Sequence, residues 1–238
     1  MSVAPGYRLR LFLSVDLVGS TAYKSGPGKE PDSNPESEYP NRPTWVGNIQ
    51  KFFTDFPEIF RAQVSKVWEG ADASAPSPQV WKTIGDEIVF CLRLRTSNDL
   101  VKTIAAFVHA LQDYGLILER DGGYLDVKGA GWVAAFPVPN ITIRRSGSSV
   151  DEASDLRDES FEEEADSAPA QFEFLGTEID AGFRVARHAA PDRFVLSAQL
   201  ALLLVSACGE SQSPFHFHYH GRETMKGVLN GREYVSGA

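Results

Sequence analysis

Apolar and polar residues alternate from Arg8 to Asp16 (RLRLFLSVD), the period of a strand with one buried face. The run ends at Leu17-Val18-Gly19-Ser20-Thr21, where Gly19 permits close backbone approach and Ser20 or Thr21 is suited to cap a following helix. Residues 25–43, rich in Pro, Gly, Ser and Asn, read as a loop. Apolar residues then recur at helical spacing, at Trp45, Ile49, Phe52, Phe53, Phe56, Phe60, Val64 and Val67. This aromatic stripe predicts core packing, and Pro57 predicts a kink or restart. After a loop at 71–78, Val80–Thr83 and Glu87–Leu94 read as a hairpin turning at Ile84-Gly85-Asp86. Ser97 or Asn98 is expected to cap a helix carrying Leu100, Val101, Ile104, Phe107, Val108 and Leu111. Tyr124–Phe136 contains a strand with Gly129, Ala130 and Gly131 in it. Further on come a short strand at Phe172–Phe174, a helix over Gly176–His188, a strand at Arg193–Ser197 and a helix over Ala198–Ala207. Phe215–His220 alternates as a strand, and Asn230-Gly231 is a two-residue hairpin signal. The order predicts an α/β sandwich, a mixed sheet flanked by helices, in one domain over 1–238 with insertions near 25–44 and 140–170.

Composition narrows the partners. The chain has 238 residues, 42% of them hydrophobic, which suffices for one well-buried domain. Its net charge is −9, and nine acidic residues against one Arg between Asp151 and Asp166 account for −8 of it. That stretch reads as a solvated, mobile insertion. With no basic stripe, a nucleic-acid partner is not expected. No apolar run reaches bilayer length, and the first residues lack the layout of a signal peptide. Cys91 and Cys208 form neither a disulfide framework nor a zinc pattern, so a reducing cytoplasm is the expected setting.

Two carboxylates carry the candidate chemistry. Taken alone, Asp16 reads as a helix cap and Asp86 as a turn residue. If the first strand pairs between the hairpin strands, their side chains meet at one edge. Two carboxylates with backbone and phosphate oxygens then make a hard site suited to Mg²⁺ or Mn²⁺. Residues Leu17 to Thr21 would offer consecutive N–H groups as a phosphate cradle. The run His216-Phe217-His218-Tyr219-His220 would put three imidazoles on one strand face, but same-face neighbours rarely converge on one ion, so exposed or hydrogen-bonded histidines are expected.

VDLVGST at Val15–Thr21 and KTIGDE at Lys82–Glu87 resemble the two metal-site motifs of class III nucleotide cyclases. Phe172–Gly176 followed by Thr177–Arg184 is similar to that family's strand, glycine and catalytic helix, and Met225-Lys226-Gly227 resembles its late phosphate-binding pair. The four motifs occur in family order over most of the chain, except about 25–45 and 140–170. The resemblance implies two metal ions per site (Mn²⁺ or Mg²⁺) held by Asp16, Asp86 and the backbone at Leu17. It implies triphosphate contacts from Val18, Gly19, Ser20, Thr21 and Lys226, ribose orientation by Asp180, and transition-state stabilisation by Arg184. Lys82 and Glu173 fall at base-contacting positions, and Asn48 on the long helix is a further base contact expected from the family's topology. Two departures stand out: Glu173 occupies a position that is Asp in adenylate-forming members, and Asp180 one that is often Asn. The family also implies a homodimer with composite active sites.

A narrower resemblance, of architecture and texture, is to the stand-alone pyrimidine cyclases of bacterial antiphage Pycsar systems. It implies a nucleoside triphosphate substrate, UTP ahead of CTP, and a cyclic nucleotide product acting on a separate effector. A cytidylate or adenylate cyclase and a catalytically silent cyclase-like binding module are the alternatives. The silent module is disfavoured because Asp16, Asp86 and Arg184 are all present.

Overall fold

The computed structural model describes residues 4–32, 41–69, 75–145, 158–209, 215–224 and 233–237. Lys226 and the Asn230-Gly231 turn lie outside them. The elements in chain order are β1 (Arg8–Val18), α1 (Ser20–Ser25), α2 (Thr44–Trp68), β2 (Gln79–Ile84), β3 (Glu87–Leu94), α3 (Ser97–Arg120) and β4 (Asp126–Phe136). They continue with β5 (Ile141–Arg144), α4 (Glu159–Ser167), β6 (Phe172–Leu175), α5 (Thr177–Ala186), β7 (Val195–Ser197), α6 (Ala198–Cys208), β8 (Tyr219–Thr224) and β9 (Glu233–Gly237). Among the described residues the main sheet has seven strands in the order β2-β3-β1-β4-β7-β9-β8, and β5 pairs with β6 separately. Only β4 and β7 run parallel within the main sheet, so it is mixed, as predicted. Strand β1 lies between β3 and β4, not between the two hairpin strands.

Alternation along β1 divides the interior. Leu11, Leu13, Val15 and Leu17 join one core with Phe52, Phe56 and Phe60 of α2 and Ile104 and Phe107 of α3. Phe12, one residue out of phase, joins a second core with Trp81, Trp132, Phe136, Phe172, Phe174 and Ile179. The even positions Arg8, Arg10, Phe12, Ser14 and Asp16 therefore share one face of the strand. Helix α2 runs continuously through Pro57, and Phe52, Phe56 and Phe60 are all buried on either side of it. The packed stripe outweighs the lost hydrogen bond, so the expected restart does not occur. Helix α3 is capped by Thr96, whose hydroxyl accepts from Asp99 N at 3.0 Å while Asp99 accepts from Thr96 N at 3.1 Å. This capping box starts the helix earlier than a Ser97 or Asn98 cap would.

The largest correction concerns the acidic stretch. Residues 158–167 are no solvated loop: Asp158 caps α4, which lies against β1. Arg10, with no exposed surface, donates through Nε to Asp166 Oδ1 at 2.7 Å and through one terminal nitrogen to Glu162 Oε2 at 2.8 Å. Its other terminal nitrogen donates to Thr142 Oγ1 at 3.0 Å, and the guanidinium stacks on Phe136 and Phe174, 4.6 and 4.7 Å from the ring centroids. Arg8 adds a contact to Asp166 at 2.7 Å. Buried arginines on β1 thus recruit the acids that charge counting assigns to solvent.

Candidate active site

The end of β1 and the tip of the β2–β3 hairpin carry the two carboxylates expected to hold metal, Asp16 and Asp86. Asp16 stands in register with Glu87 on β3 and Lys128 on β4. Asp86 follows in the hairpin turn, and its carbonyl accepts from Leu17 N at 3.4 Å, which joins strand end and turn. Burial pushes the carboxyls of Asp16 and Glu87 up; Lys128 opposes this for both, and Asp86 adds repulsion. Lys128 Nζ lies 3.2 Å from Asp16 Oδ2, and Lys24 Nζ lies 3.6 Å from Asp86 Oδ2. That Asp86 oxygen is buried with no hydrogen-bond partner.

An orphaned carboxylate oxygen beside a second, crowded carboxylate fits a hard divalent cation. Among the described residues no three His, Cys, Asp or Glu side chains converge on one point. Backbone and triphosphate oxygens would have to complete the coordination. His216 and His218 precede β8 and are exposed, so the three-imidazole strand face does not form; the side chain of His220 lies outside the described residues.

Gly19, at φ +85°, is the N-cap of α1, in place of the expected Ser20 or Thr21. A Cβ there would come within 2.8 Å of the Tyr124 carbonyl oxygen, so only glycine fits. Leu17 N–H is taken by Asp86, which removes it from the expected cradle; the N-terminus of α1 has no side-chain cap, and its first-turn N–H groups lack intrahelical acceptors. Val18 is paired with Asp126 of β4.

A cleft of about 240 Å³ opens on Asp16, lined by Ser14, Glu87 and Lys128 from the sheet and by Phe183 and Arg187 at α5. A larger cleft of about 730 Å³ lies between α3 and β4 beside Gly19, but the carboxylates of Glu119 and Asp126 line it and would repel phosphate. The chemistry, not the volume, locates the site.

Helix α5 packs through Ile179, Ala181, Gly182 and Val185. A Cβ on Gly182 would drive into the Trp132 indole, so the glycine sets how closely the helix approaches β4. Asp180 is exposed, and its carbonyl accepts from a terminal nitrogen of Arg184 at 2.8 Å. Arg184 does not line the cleft of its own Asp16; Arg187, which the sequence reading missed, does. The available signal was its position one helical turn beyond Arg184.

The base-contacting candidates separate. Lys82 on β2 and Glu173 on β6 meet, Nζ to Oε2 at 2.6 Å, and Trp81 Nε1 donates to Phe172 O at 3.0 Å to tie the two strands. Arg145, also missed, donates through Nε to Glu173 Oε1 at 2.8 Å. Burial raises the Glu173 carboxyl, but hydrogen bonds and charge from Lys82 and Arg145 outweigh it and hold the group below the usual carboxylate range. Asn48 does not join them. Its Nδ2 donates to Tyr23 Oη at 2.8 Å, and Tyr23 belongs to the core on the opposite sheet face. Within one chain Asn48 is therefore not brought together with Lys82 and Glu173.

No sequence-family profile matches the chain, and no curated protein is significantly similar to it in sequence. Its structure is similar to nucleotide cyclase domains. The adenylyl cyclase CyaB from P. aeruginosa superposes with TM-score 0.54 at 10% identity, covering 98% of this chain and 93% of that one. The guanylate cyclase domain of RhGC from Catenaria anguillulae, solved with GTP, gives 0.57 at 8% identity over 98% and 96%. The dimeric guanylyl cyclase domain of RhoGC from Blastocladiella emersonii gives 0.51 at 9% identity over 100% and 96%. The protein has the fold of class III adenylyl and guanylyl cyclase domains. No helix among the described residues is long and apolar enough to cross a membrane.

Proposed function

We propose that the protein is a nucleotide cyclase that converts UTP to 3′,5′-cyclic UMP and pyrophosphate. The observation that carries the reading is the convergence of Asp16 and Asp86 at the end of β1, with a buried Asp86 oxygen that has no hydrogen-bond partner. In the reaction the ribose 3′-oxygen attacks the α-phosphorus, the bond to the bridging oxygen of the β-phosphate breaks, and pyrophosphate leaves. Asp16 and Asp86 would hold Mn²⁺ or Mg²⁺. When bound, such ions lower the pKa of the 3′-hydroxyl and neutralise the triphosphate. The first turn of α1 holds phosphate oxygens through backbone N–H groups, and Lys226 is assigned to the terminal phosphates from the sequence motif. Asp180 orients the ribose. Arg184 supplies a planar donor fork to the oxygens on which charge develops.

Arg184 does not line its own Asp16 cleft and its side chain is hydrogen-bonded back to the Asp180 carbonyl, which fits a homodimer in which each site takes its carboxylates from one chain and its arginine from the other. Uridine specificity rests on the resemblance to the Pycsar pyrimidine cyclases, and so do a cytoplasmic setting and a role for the product in signalling to a separate antiphage effector. The test is mass spectrometry of products after incubation with equal ATP, GTP, CTP and UTP and Mn²⁺. Predominant cyclic UMP is expected. Cyclic CMP or cyclic AMP would reject the uridine assignment alone, and no cyclic product from any triphosphate would reject the cyclase reading.

A further inference from the structure

Glu173 has both carboxylate oxygens engaged by cations. Oε2 accepts from Lys82 Nζ, whose ammonium also sits 3.9 Å from the Trp81 ring centroid. Oε1 accepts from Arg145 Nε at 2.8 Å. Arg145 is itself held: its backbone N–H donates to Gln171 O at 2.8 Å, extending the β5–β6 ladder by one residue, and a terminal nitrogen donates to Ala170 O at 3.3 Å. The side chains of Lys82, Glu173 and Arg145 are 20%, 32% and 41% exposed, so the cluster borders solvent.

The consequence is a reversal of hydrogen-bonding sign. A free glutamate at a base-contacting position accepts hydrogen bonds and favours a base that presents an exocyclic amino group. Here two cations flank one anion, each carboxylate oxygen already accepts from one of them, and the cluster keeps a net positive charge with N–H donors left over. Lysine has three donors and arginine five, with no acceptor on either. Such an edge matches a base that presents carbonyl oxygens. An amino group placed there would meet donors and an excess of positive charge and could make no hydrogen bond with them, a mismatch that discriminates between bases.

We infer that Arg145 is a base-specificity residue: by clamping Glu173 against Lys82 it turns the edge formed by these three side chains into a donor surface that selects keto-base triphosphates, UTP or GTP, over the amino bases of ATP and CTP. The inference rests on the cyclase reading and on Lys82 and Glu173 facing the base. It adds a residue from a stretch in which no cyclase motif is recognised.

The test uses the full chain with equal concentrations of the four triphosphates and Mn²⁺, with products quantified by mass spectrometry. Keto-base products should exceed amino-base products by about a hundredfold. Arg145→Gln removes the charge and frees Glu173 Oε1, and should shift the keto-to-amino ratio about tenfold toward ATP and CTP. Arg145→Lys keeps the charge without the fork and should fall between them. Binding of UTP against CTP, followed by titration calorimetry, should move in parallel, as should a higher KM for UTP at nearly constant kcat. The UTP and GTP arms distinguish the two keto bases. A wild-type preference for ATP or CTP, or an Arg145→Gln protein with unchanged ratios and unchanged thermal unfolding, overturns the inference and leaves the cyclase reading intact. If Arg145→Gln unfolds, Arg145→Lys decides: wild-type ratios at wild-type stability overturn it. A wild-type protein that neither cyclises nor binds any triphosphate overturns the cyclase reading, and this inference with it.

Discussion

Truncating Glu162 tests whether the acidic helix is a structural part of the fold. Glu162 and Arg10 are both fully buried, and the Arg10 guanidinium also contacts Asp166, Thr142 and two aromatic rings. Glu162→Ala leaves the charge in place and removes one of its two anionic partners. Breaking a buried pair in this way costs about 3–5 kcal/mol. Glu162 Oε1 and Arg8 Nε are buried without hydrogen-bond partners, so the network is not fully satisfied and the lower end of that range is expected. For a chain of this size about 3 kcal/mol corresponds to a fall in Tm of about 6–12 °C. Urea unfolding followed by tryptophan fluorescence reads it directly, because Trp81 and Trp132 belong to the core beneath the network. The paired change Arg10→Met with Glu162→Leu removes both charges and should recover much of the loss. If Glu162→Ala costs less than about 1 kcal/mol, the value of an ordinary exposed pair, α4 is not held by buried charge and the reasoning fails.

Three further outcomes follow from the site. Burial raises the Asp16 carboxyl, so the folded chain binds that proton more tightly than the unfolded one, and the stabilising contribution present below the ordinary Asp range is lost as pH rises through the raised value. Asp16→Asn should therefore abolish cyclisation while raising Tm at pH 7; an active or destabilised Asn variant contradicts the assignment. Asp16→Asn and Arg184→Ala chains, each inactive, should regain up to about a quarter of wild-type turnover when mixed, since a composite dimer forms one intact site per mixed pair; no recovery despite demonstrated subunit exchange speaks against the composite site. Gly182→Ala should cost about 1–3 kcal/mol by driving a methyl group into Trp132, measurable by the same urea titration.

Most main-sheet strands and most helices were legible because each buries one face, and that requirement imposes period 2 or 3.6 on the residues. Arg8, Arg10, Phe12, Ser14 and Asp16 alternate with leucines and valines, so β1 could be read, and with it the end at which Asp16 stands. The alternation could not reveal that the polar face of β1 is also buried. Arginine at Arg8 and Arg10 reads as solvent-facing until a partner is known, and the partner lies over a hundred residues away in a stretch that reads as disordered from its charge. Strand β5 was missed for a related reason: four residues, paired only with the short β6, carry too little pattern to rise above the insertion around them.

The candidate site divides along the same line. Asp16, Asp86, Gly19 and Arg184 sit in local motifs whose spacing is set by one strand end, one hairpin or one helix, so a linear reading finds them. Arg145 and Arg187 have meaning only through contacts made in three dimensions. The β5–β6 ladder sets Arg145 against Glu173, and the turn after α5 carries Arg187 to the cleft. Asn48 stands apart from both groups: its amide is held by Tyr23, away from Lys82 and Glu173. The charge network also connects these parts. Helix α4 leads into β6, and Thr142 of β5 accepts from Arg10, so the two strands that carry Arg145 and Glu173 are anchored by the buried arginine on β1. The same face of β1 that ends in Asp16 therefore begins by holding the strands that would read the base, and damage at Arg10 should loosen specificity as well as stability.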